Sequence, residues 1–364
     1  MKFTDADSVR RAMNDLGREG RPFLFAVDFE LVSGFVVPEP VNGQGVWFCL
    51  PGQTSGMASG AAPGLVPGTA PRPSLGTTGG KAQGEVREAR PTGASSPAAR
   101  IKAMGEGLGV YAERFKIVQR GLARGDSYLV NLTLKTPIEC PLSLTEIFGL
   151  SDAPYGLCVP GRFVSFSPER FVKIDPFGQI STNPMKGTID ASVPDAERVI
   201  MDDRKEAAEH ATVVDLLRND LSLSAKRVRV KRYRYADRLK TSDRELLQIS
   251  SEIVGELGAD FKNSLGETIF RMLPAGSVSG APKESTLDII RRAEGIPRGF
   301  YAGVFGLFDG TALDSAVLIR FIEEDGGQKY FRSGGGITAL SGLEDEYREA
   351  LEKIYLPFGR KSAG

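Results

Sequence analysis

The sequence has few of the residues that build histidine or cysteine sites. It contains one histidine, His210, in 364 residues. A multi-histidine metal centre is therefore excluded, and catalysis would have to use carboxylates, lysine, backbone amides or a hard metal ion. The three cysteines are far apart and form no CxxC pair. This spacing is typical of reduced thiols rather than of a disulfide or a zinc site.

Net charge and long apolar runs are also missing. Lysine plus arginine and aspartate plus glutamate each number 46, and no long block of one sign suggests a nucleic-acid track or a membrane-surface patch. No apolar run could span a bilayer, and the first residues lack the apolar core of a signal peptide. We expect a cytoplasmic protein that acts on a small molecule, with no nucleic-acid or membrane partner.

One stretch lacks the large apolar residues that a packed core needs. Region 51–99 consists mostly of Gly, Ala, Pro, Ser and Thr, and such a composition cannot offset the entropy cost of ordering the chain. We predict a disordered low-complexity insertion there. It separates N-terminal strands of the domain in 1–50 from a catalytic region in 100–364.

The apolar patterns predict strands in clusters, not in strict alternation with helices. A strand is expected over 23–36, a helix over 99–124 and a long helix over 194–223. Ser341 and Glu344 form a capping-box pattern that predicts the start of the last helix. Clustered strands favour an α+β fold over a doubly wound sheet.

Two predicted helices each carry a pair of glutamates three residues apart, Glu206 with Glu209 and Glu346 with Glu349. Residues at this spacing share a helical face, where carboxylates repel one another unless they are solvated or bridged by a cation. Two such pairs could jointly hold magnesium, which prefers oxygen ligands and keeps waters that a substrate can replace. The alternative is a pair of solvated or salt-bridged acidic faces, because ExxE is a common pattern.

Two glycine-rich segments could bind anions, PAGSVSGAPK at 274–283 and SGGGIT at 333–338. Glycines let several backbone amides converge on one anion, and Pro282 would start a helix whose N-terminus points at it. Ordinary turn chemistry is the alternative for either loop alone. Together with Arg320 and Lys353, the loops indicate a ligand with two carboxylates.

A carboxylate and a lysine complete the candidate set, Glu169 in SPERF and Lys186 in NPMKGT. Partial burial and a nearby divalent cation would lower the pKa of Lys186, and its amine could then act as a nucleophile. The alternative is a solvated lysine at a turn.

Taken in order, these segments resemble the chorismate-utilising enzyme family; they are SPERF, NPMKGT, EAAEHATVVDLLRNDL, LPAGSVSGAPKESTLDII, RGFYAGVFG and SGGGITALSGLEDEYREALEK. The resemblance extends from about Gly125 to the C terminus. It implies one α+β domain of two large antiparallel β-sheets flanked by helices. A magnesium-dependent chorismate site would lie between the sheets.

The resemblance also implies roles for the matching residues. Glu209 and Glu349 would bind magnesium, and Glu206 and Glu346 would support them through metal-bound water. The residues that would contact the substrate are Ser279, Gly280, Tyr301, Arg320, Gly335, Gly336 and Lys353.

Lys186 is the residue that separates members of the family. It is similar to the lysine of aminodeoxychorismate synthases, where anthranilate synthases carry alanine. The resemblance implies that Lys186 attacks C2 of the ring while Glu169 and magnesium help the 4-hydroxyl leave, and that ammonia then attacks C4 and expels the lysine. Leu129 stands where isochorismate and salicylate synthases have a base lysine, and Gln248 replaces a histidine common in the family.

Ammonia would have to come from elsewhere, because a glutaminase needs a cysteine–histidine pair and the one histidine lies beside a proposed metal ligand. The resemblance therefore implies a separate glutamine amidotransferase (glutaminase) subunit as partner. The expected product is 4-amino-4-deoxychorismate, for p-aminobenzoate and folate. The alternatives are anthranilate synthase component I, another chorismate-utilising enzyme, or an inactive paralogue that only binds.

Overall fold

The structure is a computed structural model that describes residues 1–51, 101–105, 107–240 and 245–356. The insertion predicted over 51–99 lies outside the described residues, apart from Pro51.

Helices and strands follow one another irregularly along the described chain. The helices are α1 (Ala6–Arg18), α2 (Leu108–Ala123), α3 (Leu144–Leu150), α4 (Ala196–Asp202), α5 (Arg204–Ser222), α6 (Leu265–Phe270), α7 (Gly276–Ser279), α8 (Lys283–Glu294) and α9 (Leu343–Glu352). The strands are β1 (Thr4–Asp5), β2 (Phe23–Val27), β3 (Ser33–Pro38), β4 (Trp47–Cys49), β5 (Lys102–Ala103), β6 (Leu129–Glu139), β7 (Tyr155–Val159), β8 (Phe163–Ser167), β9 (Arg170–Ile174), β10 (Gln179–Thr182), β11 (Met185–Asp190), β12 (Lys226–Lys240), β13 (Glu245–Glu256), β14 (Gly280–Ala281), β15 (Val304–Phe308), β16 (Leu313–Val317), β17 (Phe321–Asp325) and β18 (Gln328–Ile337).

The strands form two sheets. The larger has the order β1-β3-β2-β15-β16-β9-β10-β13-β11, with β12 paired to β13, and the smaller has the order β14-β6-β18-β17-β8-β7-β4, with β5 paired to β6. Every pairing is antiparallel. The predicted α+β class with two large antiparallel sheets is confirmed.

An aromatic stack joins the two sheets. The ring of Phe163 in β8 lies 4.9 Å from that of Phe300, which precedes β15 of the larger sheet. It lies 5.0 Å from the ring of Phe321 in β17. Phe163 and Phe321 are buried, and full burial of such a side chain contributes about 1.5–3 kcal/mol. The contact therefore helps to hold the two sheets together.

The strand expected over 23–36 is two strands. The carboxylate of Asp28 accepts hydrogen bonds from the backbone N–H of Val32 at 2.8 Å and of Ser33 at 3.0 Å. These bonds replace strand pairing with a turn, because an aspartate can satisfy nearby backbone donors. The segment therefore folds back as the hairpin β2–β3.

The long helix expected over 194–223 is interrupted at Asp203. That residue is extended, with φ −66° and ψ 113°, and its carboxylate accepts from the N–H of Glu206 at 3.0 Å. Aspartate is a strong N-cap because it satisfies a free donor of the first turn. The sequence therefore forms α4 and α5 as separate helices, and Glu206 lies in the first turn of α5.

Two predicted helix starts were wrong. The helix expected from residue 99 begins at Leu108, and residues 102–103 instead pair with β6. The capping box at Ser341 does not form, because α9 begins after Gly342. The Ser341 hydroxyl accepts from the N–H of Thr338 at 3.1 Å instead.

The first residues of α8 match the prediction. Pro282 is its N-cap and Gly295, with φ +67°, is its C-cap. Among the helices of the described residues, none is long and apolar enough to cross a membrane.

Candidate functional site

The candidate residues come together where the two sheets meet. Glu169 lies between the end of β8 in the smaller sheet and the start of β9 in the larger one, so the chain crosses between sheets at this residue. Lys186 is in β11 of the larger sheet. α5 packs on β11, and α9 packs on β18 of the smaller sheet. The site is therefore assembled from both sheets and the two helices that carry the glutamate pairs.

The Glu169 carboxylate is held by a hydroxyl and surrounded by cations. Ser277 donates its Oγ–H to Glu169 Oε1 at 2.5 Å. Burial raises the pKa of Glu169, and the Ser277 bond and the charges of Lys186, Arg320 and Lys353 act in the opposite direction. These three cations therefore face the same carboxylate. A carboxyl group with a raised pKa stays protonated to higher pH and can act as an acid.

Lys186 lies against the first glutamate pair. Its Nζ is 3.8 Å from Glu209 Oε2, and both side chains are more than a third exposed. The next residue, Gly187, has φ +82°, and a Cβ there would be 3.1 Å from Glu206 Oε2. Glycine adopts this conformation at low cost. It lets β11 approach the Glu206 carboxylate, next to the contact between Lys186 and Glu209.

The second glutamate pair lies over the glycine-rich strand. A Cβ on Gly335 would be 3.5 Å from Glu346 Oε2 and 3.6 Å from both Glu349 Oε1 and Lys353 Nζ. Lys353 Nζ donates to Gly334 O at 2.8 Å and lies 2.7 Å from Glu349 Oε1. The absence of a side chain at Gly335 therefore makes room for the charged face of α9.

The carboxylates of α5 and α9 repel one another. Burial raises the pKa of Glu346, and the charges of Glu349 and Glu209 raise it further, whereas the Ser341 hydroxyl and Lys353 lower it. Glu209 belongs to α5, so the two glutamate pairs share one electrostatic environment.

We tested whether these residues fit magnesium. The donors are all carboxylate oxygens, and their mutual repulsion would be relieved by a divalent cation. In the described part of the chain, however, no three or more His, Cys, Asp and Glu side chains are close enough together to bind a metal ion. The donor chemistry fits magnesium, while the glutamates in this structure are spaced more widely than a coordination sphere.

Three of the expected substrate-contacting side chains differ in burial and in their hydrogen bonds. Tyr301 is buried, which raises the pKa of its hydroxyl to about 12, so it remains a neutral hydrogen-bond donor at pH 7. Arg320 has φ +51°, and its Nε donates to the Tyr355 hydroxyl at 3.2 Å. Ser279 is fully buried, and its Oγ donates to Ala275 O at 2.9 Å. The Ser279 hydroxyl is therefore used inside the loop.

Two glycines and Leu129 line the edge between β6, β14 and β18. Gly280 has φ +125°, and a Cβ there would lie 1.9 Å from the Leu129 carbonyl oxygen, so only glycine fits. A Cβ on Gly336 would lie 3.0 Å from Leu129 Cδ1. The Leu129 side chain therefore presents an apolar group beside the Gly336 backbone.

Gln248 lies opposite Thr188 of β11, two residues from Lys186.

A buried ion pair that the sequence did not predict supports the glycine-rich loop. Arg298 and Glu294 are both almost fully buried, with Nη2 and Oε1 2.7 Å apart. Arg298 also donates to Val278 O in the glycine loop and to Asn131 O in β6, each at 2.7 Å. This network ties the loop to the strand. The i,i+4 spacing of Glu294 and Arg298 is typical of an ion pair on a helix. Pro297 argues against a continuous helix between them, so the sequence did not predict the pair.

Ser277 was also missed, because a serine in a glycine-rich loop predicts only a turn. Its role depends on Glu169, which is distant in sequence and in contact only after folding.

The chain is similar to known proteins over most of its length. A protein of Haemophilus influenzae named as an uncharacterized PabA-like protein is 44% identical over 345 residues, which cover 94% of each chain. Aminodeoxychorismate synthase component 1 of Salmonella typhimurium is 31% identical over 262 residues, covering 67% of this chain and 56% of that protein. The solved structure of anthranilate synthase component I from Streptococcus pneumoniae has a TM-score of 0.58 at 25% identity, covering 70% of this chain and 58% of that one.

Residues 78–358 match the family described as chorismate binding enzyme. That range contains every residue of the site assembled above. The chain therefore belongs to the family of chorismate-binding enzymes.

Proposed function

We propose that the chain is an aminodeoxychorismate synthase component I, which converts chorismate and ammonia into 4-amino-4-deoxychorismate and water for p-aminobenzoate and folate synthesis. The observation that carries this proposal is the position of Lys186, with its Nζ 3.8 Å from Glu209 and its charge acting on Glu169. A lysine held at this position is within reach of a ring bound between the two sheets, and a lysine amine is a nucleophile that forms covalent intermediates.

The reaction would use Lys186 and Glu169 in two balanced steps. In the first, the neutral Lys186 amine forms a bond to C2, the ring double bond shifts, and the 4-hydroxyl leaves as water after accepting a proton from Glu169. In the second, ammonia forms a bond to C4, the double bond shifts back, the Lys186 nitrogen leaves C2 as a neutral amine, and the new ring ammonium returns a proton to Glu169. The raised pKa of Glu169 supports its role as the acid.

The remaining residues would bind and orient the substrate. Arg320, Lys353, the Tyr301 hydroxyl and the amides of Gly335 and Gly336 supply cations and neutral donors for two carboxylates. When bound by Glu209 and Glu349, with Glu206 and Glu346 in support, magnesium would neutralise the ring carboxylate. Ser279 and Gly280 would shape the loop that lines the pocket.

Ammonia would come from a glutamine amidotransferase subunit, and the reaction would take place in the cytoplasm. The single histidine in the sequence supports the need for a partner, because a glutaminase uses a cysteine–histidine pair.

Anthranilate synthase component I is the second candidate, since the chain is similar to a solved member with that activity. Isochorismate synthesis is less well supported, because Leu129, an apolar residue that cannot act as a base, lies beside Gly336.

The test is product analysis of the purified chain with chorismate, magnesium chloride and ammonium salt, for the wild type, Lys186→Ala and Lys173→Ala. Lys173 is an exposed lysine of β9 and serves as the matched control. We expect aminodeoxychorismate from the wild type and the control, and a loss of at least about 100-fold in Lys186→Ala. Mass spectrometry should also find a ring adduct on Lys186.

Other outcomes assign other functions. Anthranilate as the product would support the second candidate, and isochorismate would support a water-adding enzyme. Chorismate binding without turnover would identify an inactive paralogue.

A further inference from the structure

A buried carboxylate contacts the glycine-rich loop at two points. Asp220, near the end of α5, is 5% exposed. Its Oδ2 accepts a hydrogen bond from the backbone N–H of Gly276 at 2.9 Å. Its Oδ1 lies 2.9 Å from the Nζ of Lys283, the first residue of α8, and that Nζ also donates to Met272 O at 2.8 Å. Asp220 and Lys283 therefore tie the two ends of the loop to α5.

Ser277 lies between two residues that buried charged side chains hold. The residue before it donates its N–H to Asp220. The residue after it, Val278, accepts a hydrogen bond from Arg298 Nη1 at 2.7 Å. The backbone is therefore held on each side of Ser277, whose own hydroxyl donates to Glu169 Oε1.

The contact between α5 and the loop leaves little space. A Cβ on Gly276 would lie 2.7 Å from Asp220 Oδ2 and 2.9 Å from Leu216 Cγ, so the side chains of α5 pack directly on the loop backbone. A buried N–H that loses its acceptor is costly. Loss of the carboxylate should therefore move the Gly276 peptide toward another partner, and the next residue, Ser277, with it.

The alternative role for Asp220 is an ion pair that only anchors α5 to α8. Breaking a buried ion pair by removing one partner destabilises a protein, whatever the pair does for function. The two roles have different requirements. The ion pair needs the charges of both Asp220 and Lys283, whereas the Gly276 N–H needs only an acceptor oxygen.

We propose that Asp220 is a positioning residue, which holds the Gly276 N–H and thereby keeps the Ser277 hydroxyl on Glu169. In the proposed reaction Glu169 protonates the leaving hydroxyl, and the Ser277 bond restricts the directions in which its carboxyl group can point. Asp220 acts on this step through Ser277. The effect on turnover rests on the proposed function, whereas the hold on the loop does not.

Two double variants separate the two roles. The acceptor variant, Asp220→Asn with Lys283→Met, keeps a carbonyl oxygen for the Gly276 N–H. The acceptor-free variant, Asp220→Leu with Lys283→Met, has a side chain of similar volume without that oxygen. Both lack the ion pair, and neither leaves a buried charge without its partner. Should the acceptor-free variant not fold in thermal unfolding, Asp220→Ala with Lys283→Met takes its place.

Hydrogen exchange measured by mass spectrometry reads the hold on the loop without turnover. We expect peptides that cover 274–281 to exchange at least about 10-fold faster in the acceptor-free variant than in the acceptor variant. Peptides from β15 should exchange alike in both. Equal exchange of the loop in the two variants would overturn the proposal.

Turnover is measured with chorismate, magnesium chloride and ammonium salt. We expect the acceptor variant to keep kcat within about 3-fold of the wild type and the acceptor-free variant to lose about 10-fold. The KM for chorismate should change less than about 2-fold in both, because the loss concerns the chemical step. Equal kcat in the two variants would contradict the positioning role.

The same pair is then measured in protein that carries Ser277→Ala. We expect equal kcat for the two variants there, within about 2-fold, because no hydroxyl remains to be positioned. A smaller folded fraction would lower kcat in both backgrounds. A 10-fold difference that persisted without the Ser277 hydroxyl would therefore show that Asp220 does not act through Ser277.

The outcomes separate this inference from the proposed function. If the wild type makes no aminodeoxychorismate, the proposed function fails. The exchange measurement still decides whether Asp220 holds the loop in place.

Discussion

Two carboxylates of the site destabilise the fold when they are ionised. Glu169 is held among three cations yet has a raised pKa because burial outweighs their charges. Glu346 is disfavoured as an anion by burial and by two other glutamates. Such arrangements cost stability and are typical of functional sites. The loss of stability at Glu169 and at Glu346 predicts the effect of one substitution at each residue.

Replacing Glu169 with glutamine should stabilise the protein at pH 7. The pKa of Glu169 in the folded protein lies above the ordinary value of 4.5. The contribution of Glu169 to stability is therefore fully present below pH 4.5, where its carboxyl group is protonated. This contribution is lost as the pH rises through the folded-state pKa. We expect Glu169→Gln to raise the free energy of unfolding by about 1 kcal/mol at neutral pH. The gain should vanish below about pH 4, and activity should fall.

Thermal unfolding across this pH range measures the effect. Glu344→Gln is the control, because Glu344 is an exposed residue of α9. A gain at pH 7 that persisted unchanged in acid would contradict the explanation.

Magnesium should stabilise the wild type through the glutamates. At a concentration ten times its Kd, a ligand adds about 1.4 kcal/mol to stability. We expect magnesium chloride to raise the Tm of the wild type and of Glu352→Gln, whose changed side chain is exposed on α9. The increase should be much smaller in Glu346→Gln. Equal increases in all three proteins would show that Glu346 does not support the metal.

At the scale of single elements, a short segment of backbone holds the glycine-rich loop against β6. β14 is only two residues long, and it pairs with the first residues of β6, with Gly280 opposite Val130. The pairing brings the glycine loop against the strand beside Gly336. It depends on the close approach of Gly280 to the Leu129 carbonyl.

Gly280→Ala should therefore separate the loop from β6. The added Cβ would lie 1.9 Å from a backbone oxygen, at φ +125°, and we expect a loss of more than about 3 kcal/mol in stability. Gly295→Ala is the matched control, because Gly295 also has a positive φ, +67°, but nothing lies within 4 Å of an added Cβ. It should lose only about 1 kcal/mol. Urea unfolding distinguishes the two, and equal losses would exclude the steric explanation.

At the scale of the whole molecule, the chain joins distant positions of the smaller sheet across the predicted insertion. β4 ends one side of this sheet, β5 lies at the other, and β6, β18, β17, β8 and β7 lie between them. Six strand spacings of about 4.8 Å put the two strands about 29 Å apart. Any shortened connection has to span that distance.

Deletion of 56–93 should leave the fold intact. It keeps twelve residues between Pro51 and Lys102, which can reach about 40 Å. We expect a soluble protein with a Tm equal to that of the wild type or slightly higher, because a shorter loop costs less entropy to close. Deletion of 52–97 keeps four residues, which reach less than about 20 Å, and should not fold with β4 and β5 both in place. Loss of soluble protein on deletion of 56–93 would show that the insertion contributes to folding.

The sequence by itself determined the family, the fold class and the identity of the charged residues. Alternating apolar residues and turn signals indicated clustered strands, and long ordered segments around Glu169, Lys186 and the two glutamate pairs resembled one family. Pro282 gave the start of α8, since proline acts through local backbone geometry. These features are local, so a sequence displays them directly.

Only the tertiary structure decided which of these residues meet and in what state. Ser277 reaches Glu169 across 108 positions of sequence, and Gly276 reaches Asp220 across 56. Burial and neighbouring charges set the pKa directions of Glu169 and Glu346, and both depend on packing between the sheets. Local patterns carry no information on such contacts, because a hydrogen bond or a charge interaction depends on distance in space and not on separation along the chain.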